Sequence, residues 1–372
     1  MVQIFRKNIM DIPMPMNLTV YWNFGSLLGM VLVLQILSGA FLSMHYVPSG
    51  DSAFMSVDHI MRDVGGGWVL RLLHVWGSSF FFLLLYFHMG RGVYYGSYRL
   101  TYTWILGAIL FLLSMAVAFL GYVLPWGQMS FWGATVITNI FSAIPYVGGA
   151  LVTWLWGGFS VGGPTLTRFY TLHVLLPMGL AALALVHMFF LHLTGSSNPL
   201  GVASKSPSLV PFHPFYTSKD ISGGLVVVLI ILVGSFLSPY LLSDPENFTP
   251  ANPLVTPTHI MPEWYFLWLY AILRSIPNKL GGVVVMFSAI VVLFLLPFIP
   301  SSKFQGSSMY PVNQALFWWW VFSLVLLTWI GSSPVEMPYT VLGLGLTVSY
   351  FLYFMLAGLC SQLWDYFIFY SK

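Results

Sequence analysis

Long apolar stretches separated by shorter polar segments run along the whole chain. Eight stretches are long enough to cross a bilayer as helices, which takes about 20 apolar residues. They cover residues 24–45, 67–95, 103–124, 167–193, 221–241, 280–299, 313–331 and 339–363. Because a bilayer offers no water to backbone groups, such stretches form helices. The pattern predicts an all-α polytopic membrane protein of eight transmembrane helices.

The polar segments differ in length. Residues 46–66 are predicted to form a loop, and Met129 to Ile144, within the long segment 125–166, to form a short helix along the surface. Residues 194–220 and 242–279 are long and proline-rich. Long ordered loops are usually functional, so we expect functional residues in them.

Composition supports a membrane protein. The chain is 58% hydrophobic and 6% charged, whereas soluble proteins carry about 25% charged residues. A net charge of +3 is too small to indicate a nucleic acid partner, so we expect lipid around the helices. Because Cys360 is the one cysteine, c-type haem attachment is excluded and any haem is bound non-covalently.

Loop charges predict the orientation. Because the number of spans is even, both termini lie on the same side of the membrane. The terminal segments and loops on that side contain eight Lys and Arg residues, whereas the loops on the other side contain five. Basic loops favour the inside, so the N-terminal side is predicted to be the inside, or n side.

Two spans carry paired histidines. His74 and His88 are 14 residues apart in span two, and His173 and His187 have the same separation in span four. In a helix that spacing returns the side chain to within roughly 40° of the same face, about 21 Å along the axis. Both spans run from the outside to the inside, so the pairs face each other at two depths. Bis-histidine ligation suits a low-spin electron-transfer haem, and an N-terminal four-helix bundle would hold two stacked haems.

Glycines repeat the spacing in the two partner spans. Gly25 and Gly39 are 14 apart in span one, as are Gly107 and Gly121 in span three. A flat porphyrin between helices needs neighbours without side chains, which glycine provides. Gly25 and Gly107 lie at the depth of the inner histidine pair, His88 and His187. Gly39 and Gly121 lie at the depth of the outer pair, His74 and His173.

Two arginines lie one turn from these histidines. Arg71 and Arg91 are three residues from His74 and His88, where each can pair with a haem propionate. The alternative is a snorkelling side chain at the membrane interface. Zinc or copper fits two isolated histidines poorly, since such sites usually add cysteine or carboxylate ligands.

The sequence resembles the cytochrome b family of respiratory complex III, in its mitochondrial type. The likeness is carried by the two histidine pairs, by GYVLPWGQMSFWGATV from Gly121 and by Pro-Glu-Trp-Tyr from Pro262. It implies a di-haem bundle in residues 1–200 and a C-terminal four-helix region with the Pro-Glu-Trp-Tyr loop in residues 201–372.

The resemblance implies the core of an enzyme, quinol–cytochrome c oxidoreductase. Quinol is oxidised on the p side and quinone reduced on the n side, with one electron crossing through two b-type haems and protons being translocated. Ubiquinol and ubiquinone are the implied substrates. The implied partners are the Rieske iron–sulfur protein, a cytochrome c1-type subunit, other complex III subunits and a second copy of the complex. The implied location is the mitochondrial inner membrane, with the N-terminal side facing the matrix.

Glu263 is the predicted catalytic carboxylate on the p side. It follows span five and is the one ionisable residue in its immediate run. Burial makes a carboxylate easier to protonate, which suits a proton acceptor for quinol. The family adds Tyr265 as a catalytic residue. As lining of the quinol oxidation site it implies Tyr122, Gly133, Ile137, Pro262, Phe266 and Tyr270, and Phe119 fits by its position one face along span three.

The implied quinone reduction site lies on the n side and contains His192, Ser196 and Asp220. A histidine and an aspartate can hydrogen-bond the two quinone carbonyls and supply protons. Alternatively, these residues serve only at helix ends. Asp220, for example, would stabilise the N-terminus of the helix that follows it through its negative charge. Leu193 stands where the family often has a glutamate, which puts a proton path through that position in doubt.

Two other classes are compatible with paired histidines in a membrane. One is a transporter with buried histidines, although transporters usually show repeats and broken helices near the midplane. The other is a di-haem anchor of a different quinone-linked oxidoreductase. The Pro-Glu-Trp-Tyr loop and the long linker after span three argue against the anchor.

Overall fold

The computed structural model describes residue 6 and residues 10–202, 208–299 and 302–370. In these residues regular structure is almost entirely helical, and eight helices are long and apolar enough to cross a membrane. The one sheet there pairs β1 (Pro13–Pro15) antiparallel with β2 (Leu209–Pro211). The prediction of an all-α polytopic membrane protein is confirmed.

The helices of the N-terminal half surround the paired histidines. They are α1 (Phe24–Ser43), α2 (Ala53–Arg62), α3 (Gly67–Tyr94), α4 (Thr101–Val123), α5 (Gln128–Asn139), α6 (Gly148–Trp156) and α7 (Gly163–Thr194). Of these, α1, α3, α4 and α7 are membrane spans. Helix α1 packs along α3, and α4 packs along α7.

In the C-terminal half, three spans pack around one short helix, while the first helix packs against α1 and α3. The helices of this half are α8 (Phe212–Leu237), α9 (Leu267–Ser275), α10 (Lys279–Leu295, extended as a span to Phe298), α11 (Pro311–Gly331) and α12 (Tyr339–Phe369). All but α9 are spans. Helix α9 packs against α10, α11 and α12 and so lies at the centre of this group.

Three segments differ from the prediction, and one of them is helix α9, which lies inside the predicted loop 242–279 and buries Leu267, Ala271 and Ile272 at helical spacing. Helix α2 occupies the middle of the predicted loop 46–66, where Ala53, Ser56 and Ile60 form one buried face at helical spacing.

Helix α8 begins at Phe212 and not near residue 221. His213 is extended (φ −98°, ψ 131°), so the regular helix begins at Pro214, where proline is tolerated because the first turn needs no backbone donor there. Asp220 therefore lies inside α8, and its predicted alternative role at a helix N-terminus is wrong.

One buried core joins the two halves. Phe82 from α3 and Phe111 from α4 pack with Tyr265, Ile272 and Leu327 from the C-terminal half. Burial of apolar side chains at this junction holds the segment after Glu263 against α3.

Gly331 marks the closest approach of α11 to α9. A Cβ on Gly331 would overlap the backbone carbonyl of Leu267, which is not a flexible group. Glycine is therefore required for these helices to pack, whereas Gly345 on α12 has nothing within 4 Å of its Cβ position.

We expect Gly331→Ala to lower stability by about 1–3 kcal/mol, because overpacking forces backbone shifts. Gly345→Ala is the control, and it should be neutral or slightly stabilising since alanine favours a helix. The midpoint of thermal unfolding of the detergent-purified protein measures both effects. Equal midpoints for the two variants would contradict this packing.

Candidate functional site

The two predicted histidine pairs are brought together at two depths. The ring centroids of His74 and His173 are 6.2 Å apart, and those of His88 and His187 are 6.3 Å apart. A transition metal–imidazole bond is about 2.0–2.1 Å long, so two rings ligating one metal from opposite sides have centroids about 6 Å apart. Both pairs thus have the separation that one metal atom between them requires.

Each of the four predicted glycines lies against one histidine ring. A Cβ would be 3.2 Å from the ring Cε1 for Gly25 with His88, Gly39 with His74 and Gly107 with His187, and closer still for Gly121 with His173. The contact is with the ring itself, so the missing side chain is what allows each ring to take its place. The matched spacing found in the sequence corresponds to four direct contacts.

Hydrogen bonds orient His74 and His173. Nδ1 of His173 is 2.8 Å from the carbonyl oxygen of Val117, and Nδ1 of His74 is 2.9 Å from Oγ of Ser38. When Nδ1 is engaged in this way, Nε2 is left to ligate a metal. Sequence reasoning missed Ser38. Its signal was a hydroxyl next to Gly39 in an otherwise apolar run.

The predicted arginines lie beside the histidines. The Nη2 atom of Arg91 is 3.2 Å from Nδ1 of His88, and its guanidinium lies 5.2 Å from the ring centroid of Trp22. Its buried Nε has no hydrogen-bond partner within the described residues. A buried guanidinium with an unused donor can take an anionic group. Arg71 lines the cavity that also contains His74.

A cavity of about 260 Å³ connects His74 and His173 to the Pro-Glu-Trp-Tyr loop that the sequence singled out. Its walls include His74 and His173 as well as Tyr122, Glu263 and Tyr265. The structure thus brings the proposed proton acceptor and the outer histidine pair to one space. Six predicted lining residues are not among its walls, namely Phe119, Gly133, Ile137, Pro262, Phe266 and Tyr270.

Some of these six residues pack elsewhere around the same region. The Phe119 ring lies 5.7 Å from that of Phe169, and the Phe266 ring lies 5.5 Å from that of Phe82. Tyr270 lies under the guanidinium of Arg274 at 4.6 Å. These contacts are those of packed aromatic side chains.

The remaining lining candidates are on α5 and in the loop that leads to Glu263. Gly133 and Ile137 are four residues apart on α5 and so share a face. Gly133 is buried, yet nothing lies within 4 Å of its Cβ position. Pro262 is partly buried directly before Glu263.

The environment of Glu263 favours its neutral form. Burial, together with the nearby negative charge of Asp244, raises the pKa of Glu263 to about 8. Burial also raises the pKa of Tyr265, with Glu263 adding to the effect. Asp244 lines the cavity and was not predicted. Its signal was a second carboxylate in the same long loop.

Asp220, which the sequence predicted to lie on the n side, is hydrogen-bonded to residues at the start of α1. Its Oδ1 accepts hydrogen bonds from Nδ2 of Asn23 at 2.5 Å and from Oγ of Ser26 at 2.6 Å. These donors flank Gly25, which faces His88. The carboxylate therefore lies at the depth of the inner histidine pair. Polar residues on both sides of Gly25 were the signal for these two donors.

Within the described residues, the other two residues predicted for this site make no hydrogen bond to Asp220. His192 is exposed near the end of α7, and Ser196 is partly buried just beyond it. The grouping of these three residues in one site stays a prediction.

Known proteins resemble this chain over nearly its whole length. A family model described as "Cytochrome b/b6/petB" matches residues 9–195, and one described as "Cytochrome b(C-terminal)/b6/petD" matches residues 250–351. A solved structure titled "Hyperthermophilic respiratory Complex III" is similar, with 33% identity and a TM-score of 0.93. The match covers 97% of this chain and 96% of that one. The chain therefore belongs to the cytochrome b/b6 family.

Proposed function

We propose that this chain is the haem-bearing core subunit of a quinol–cytochrome c oxidoreductase. It oxidises quinol at a p-side site and reduces quinone at an n-side site, with proton translocation. The proposal rests on one cavity. Its walls contain the histidine pair His74 and His173 and also Glu263 and Tyr265. One space can hold an electron-transfer group and a proton acceptor for the same substrate.

Two non-covalent b-type haems fit the residues present. His74 and His173 would hold one and His88 and His187 the other, at ring separations that suit a six-coordinate metal. The four glycines provide clearance, and the unpaired Nε of Arg91 offers a donor to a propionate. When bound, the haems supply one-electron transfer across the membrane.

Glu263 is the residue we assign to proton uptake from quinol. A carboxyl group whose pKa is raised to about 8 changes protonation state near physiological pH, which suits an acid–base group. Tyr265 and Tyr122 line the same cavity, and the remaining predicted lining residues would bind the ring and tail of the substrate.

Asp220 is the residue we assign to the n-side quinone. Asn23 and Ser26 both donate to its Oδ1, and this leaves Oδ2 as the oxygen that we assign to the substrate. His192 and Ser196 would approach the opposite carbonyl. Ubiquinone is the proposed substrate on this side and ubiquinol on the other.

The proposed assembly follows from the family. We propose the Rieske iron–sulfur protein, a cytochrome c1-type subunit and other complex III subunits as partners in a homodimeric complex. The division into residues 1–200 and 201–372 agrees with the two matched ranges, which lie one in each part. Location in the mitochondrial inner membrane, with the N-terminal side facing the matrix, rests on sequence resemblance and loop charge.

The alternatives lack a supporting observation of this kind. Family membership argues against a solute transporter. A di-haem anchor of another oxidoreductase has no need for the C-terminal family region, which is matched here over residues 250–351.

The haem proposal predicts that His88→Ala and His173→Ala each lose one of two b-type haems, because one axial ligand is missing. His59→Ala is the control, since this exposed histidine pairs with Asp63 on the surface. A pyridine haemochrome count and a reduced-minus-oxidised spectrum of the purified complex measure the loss. Two haems in either test variant would overturn the ligand assignment.

The glycine contacts predict a matched pair of effects on α1. Gly39→Leu should displace the His74 ring and remove or shift the p-side haem signal, because a Cβ there already lies 3.2 Å from the ring. Gly29→Leu should leave both signals unchanged, since nothing lies within 4 Å of its Cβ position. Midpoint potentials from a redox titration distinguish the variants. The same potentials in both would argue against the clearance role.

The raised pKa of Glu263 predicts a pH dependence. The ionised form accepts the proton, and its fraction grows as pH rises through about 8. We therefore expect kcat/KM for quinol oxidation to increase over this range, and Glu263→Gln to slow the reaction and abolish this limb with both haems retained. The measurement is cytochrome c reduction by quinol as a function of pH. Persistence of the limb in Glu263→Gln would assign it to another group.

A further inference from the structure

Helix α3 presents two different faces. Taking about 100° per residue, Ser79, Phe82 and Tyr86 lie within roughly 60° of one another around the axis. His74 and His88 lie on a second face, centred roughly 130° away. The same helix therefore carries ligands of both histidine pairs on one side and a row of three buried or half-buried side chains on the other.

Polar contacts from the Ser79–Tyr86 face reach the segment that begins at Glu263. The Nε1 of Trp264 donates to Oγ of Ser79 at 3.2 Å. The hydroxyl of Tyr86 donates to the carbonyl oxygen of Tyr265 at 2.5 Å, and it accepts from Nε1 of Trp268 at 3.0 Å. Tyr86 is thus the centre of a chain of hydrogen bonds from indole to hydroxyl to backbone carbonyl.

An aromatic stack reinforces these bonds. The rings of Phe82 and Tyr265 are nearly parallel, with centroids 4.2 Å apart and planes 6° apart. Both residues are almost fully buried. Away from water, a hydrogen bond next to such a stack has no solvent to replace it, so its loss leaves a buried carbonyl unsatisfied.

The position of the backbone at Glu263 depends on the residues after it. From Ala251 to Glu263 the chain has no helix or strand, and Glu263 itself is extended at φ −54° and ψ 151°. The 3₁₀ turn Trp264–Phe266 begins immediately afterwards. An extended residue at the end of an irregular loop takes its position from the anchored residues beside it.

We propose that Tyr86 is a positioning residue for quinol oxidation, which holds the Glu263–Tyr265 segment at a fixed place relative to the p-side histidines. The inference rests on the proposed function. Because the histidine ligand and Tyr86 are on one helix, the helix sets the separation between the electron-accepting site and the proton-accepting carboxylate. Tyr86 acts through the Tyr265 backbone and does not line the cavity.

The test uses Tyr86→Phe in the assembled complex, which removes one hydroxyl and keeps the ring. We expect kcat/KM for quinol oxidation to fall roughly threefold to tenfold, the range for one net hydrogen bond. The fall should be mainly in kcat, with two haems per chain and unchanged reduction of quinone on the n side. A uniform loss in both quinone reactions would indicate general damage and overturn the proposal.

The pH dependence of kcat/KM distinguishes a shift of Glu263 from a general loosening of the core, because general loosening would not move the pH at which kcat/KM rises. Glu263 is faced by Asp244 from its own loop, by Tyr122 from α4 and by Tyr265 beside it. If the segment shifts towards water, the rising limb of kcat/KM should move to lower pH in Tyr86→Phe. An unmoved limb with unchanged kcat/KM would overturn the proposal.

Tyr350→Phe is the matched control. Tyr350 is a fully buried tyrosine of the core against which Tyr86 packs, and its hydroxyl donates to the carbonyl oxygen of Ala289 at 2.7 Å. This variant should keep the wild-type kcat/KM and pH limb. The same change in both variants would mean that any lost core hydroxyl has this effect, and Tyr86 would have no special role.

Ser79→Ala keeps the proposal testable if Tyr86→Phe fails to assemble. It removes the acceptor of the Trp264 indole on the same face, so it should change kcat and the pH limb in the same direction. No change would overturn the proposal. Absence of haems or of quinol oxidation in the wild-type complex would instead overturn the proposed function, so the two failures are distinguishable.

Discussion

The close packing of four glycine backbones against four histidine rings is the constraint on which the rest of this structure depends. Inside a bilayer, helices gain little from excluding water, and their association relies on close contact and hydrogen bonds. Here the contact is specific, because each glycine faces one ring and a side chain would occupy the place of that ring. The helix pairs α1 with α3 and α4 with α7 are therefore arranged around the histidines.

Helix α3 extends this constraint to the C-terminal half. One face carries His74 and His88, while Ser79, Phe82 and Tyr86 hold the segment after Glu263. The buried core crosses between the two halves at this junction. A single helix is stiff over its length, so α3 fixes the distance between the outer histidine pair and the proposed proton acceptor.

The two quinone sites proposed here use carboxylates in different settings. Glu263 lies where burial and the charge of Asp244 raise its pKa to about 8, which favours proton exchange near neutral pH. Asp220 instead accepts two hydrogen bonds at one oxygen, an arrangement that fixes the direction of the other oxygen. We therefore propose that the carboxyl group of Glu263 takes up a proton at one site, whereas that of Asp220 forms hydrogen bonds at the other.

The apolar runs in the sequence were enough to predict the eight spans, and the repeated spacing was enough to predict the two histidine pairs and the four glycines that face them. A helix has a constant rise and turn, so equal spacings in a row of helices must bring side chains to equal depths. The boundaries of the C-terminal spans were also close, although the start of α8 and the helices α2 and α9 were missed. In α2 and at the start of α8 polar residues interrupt the apolar pattern, and the buried face of each helical segment is short, so the hydropathy of the sequence did not indicate a helix.

Only the tertiary structure decided which distant residues meet. Asp220 bonds to Asn23 and Ser26 across nearly two hundred positions of sequence, and Tyr86 bonds to Tyr265 across a similar distance. No helical period connects such residues, because their contact depends on how separate segments pack. The sequence by itself therefore determined the depth and the facing of the histidines, while packing decided which hydrogen bonds hold the Asp220 carboxylate and the backbone after Glu263 in place.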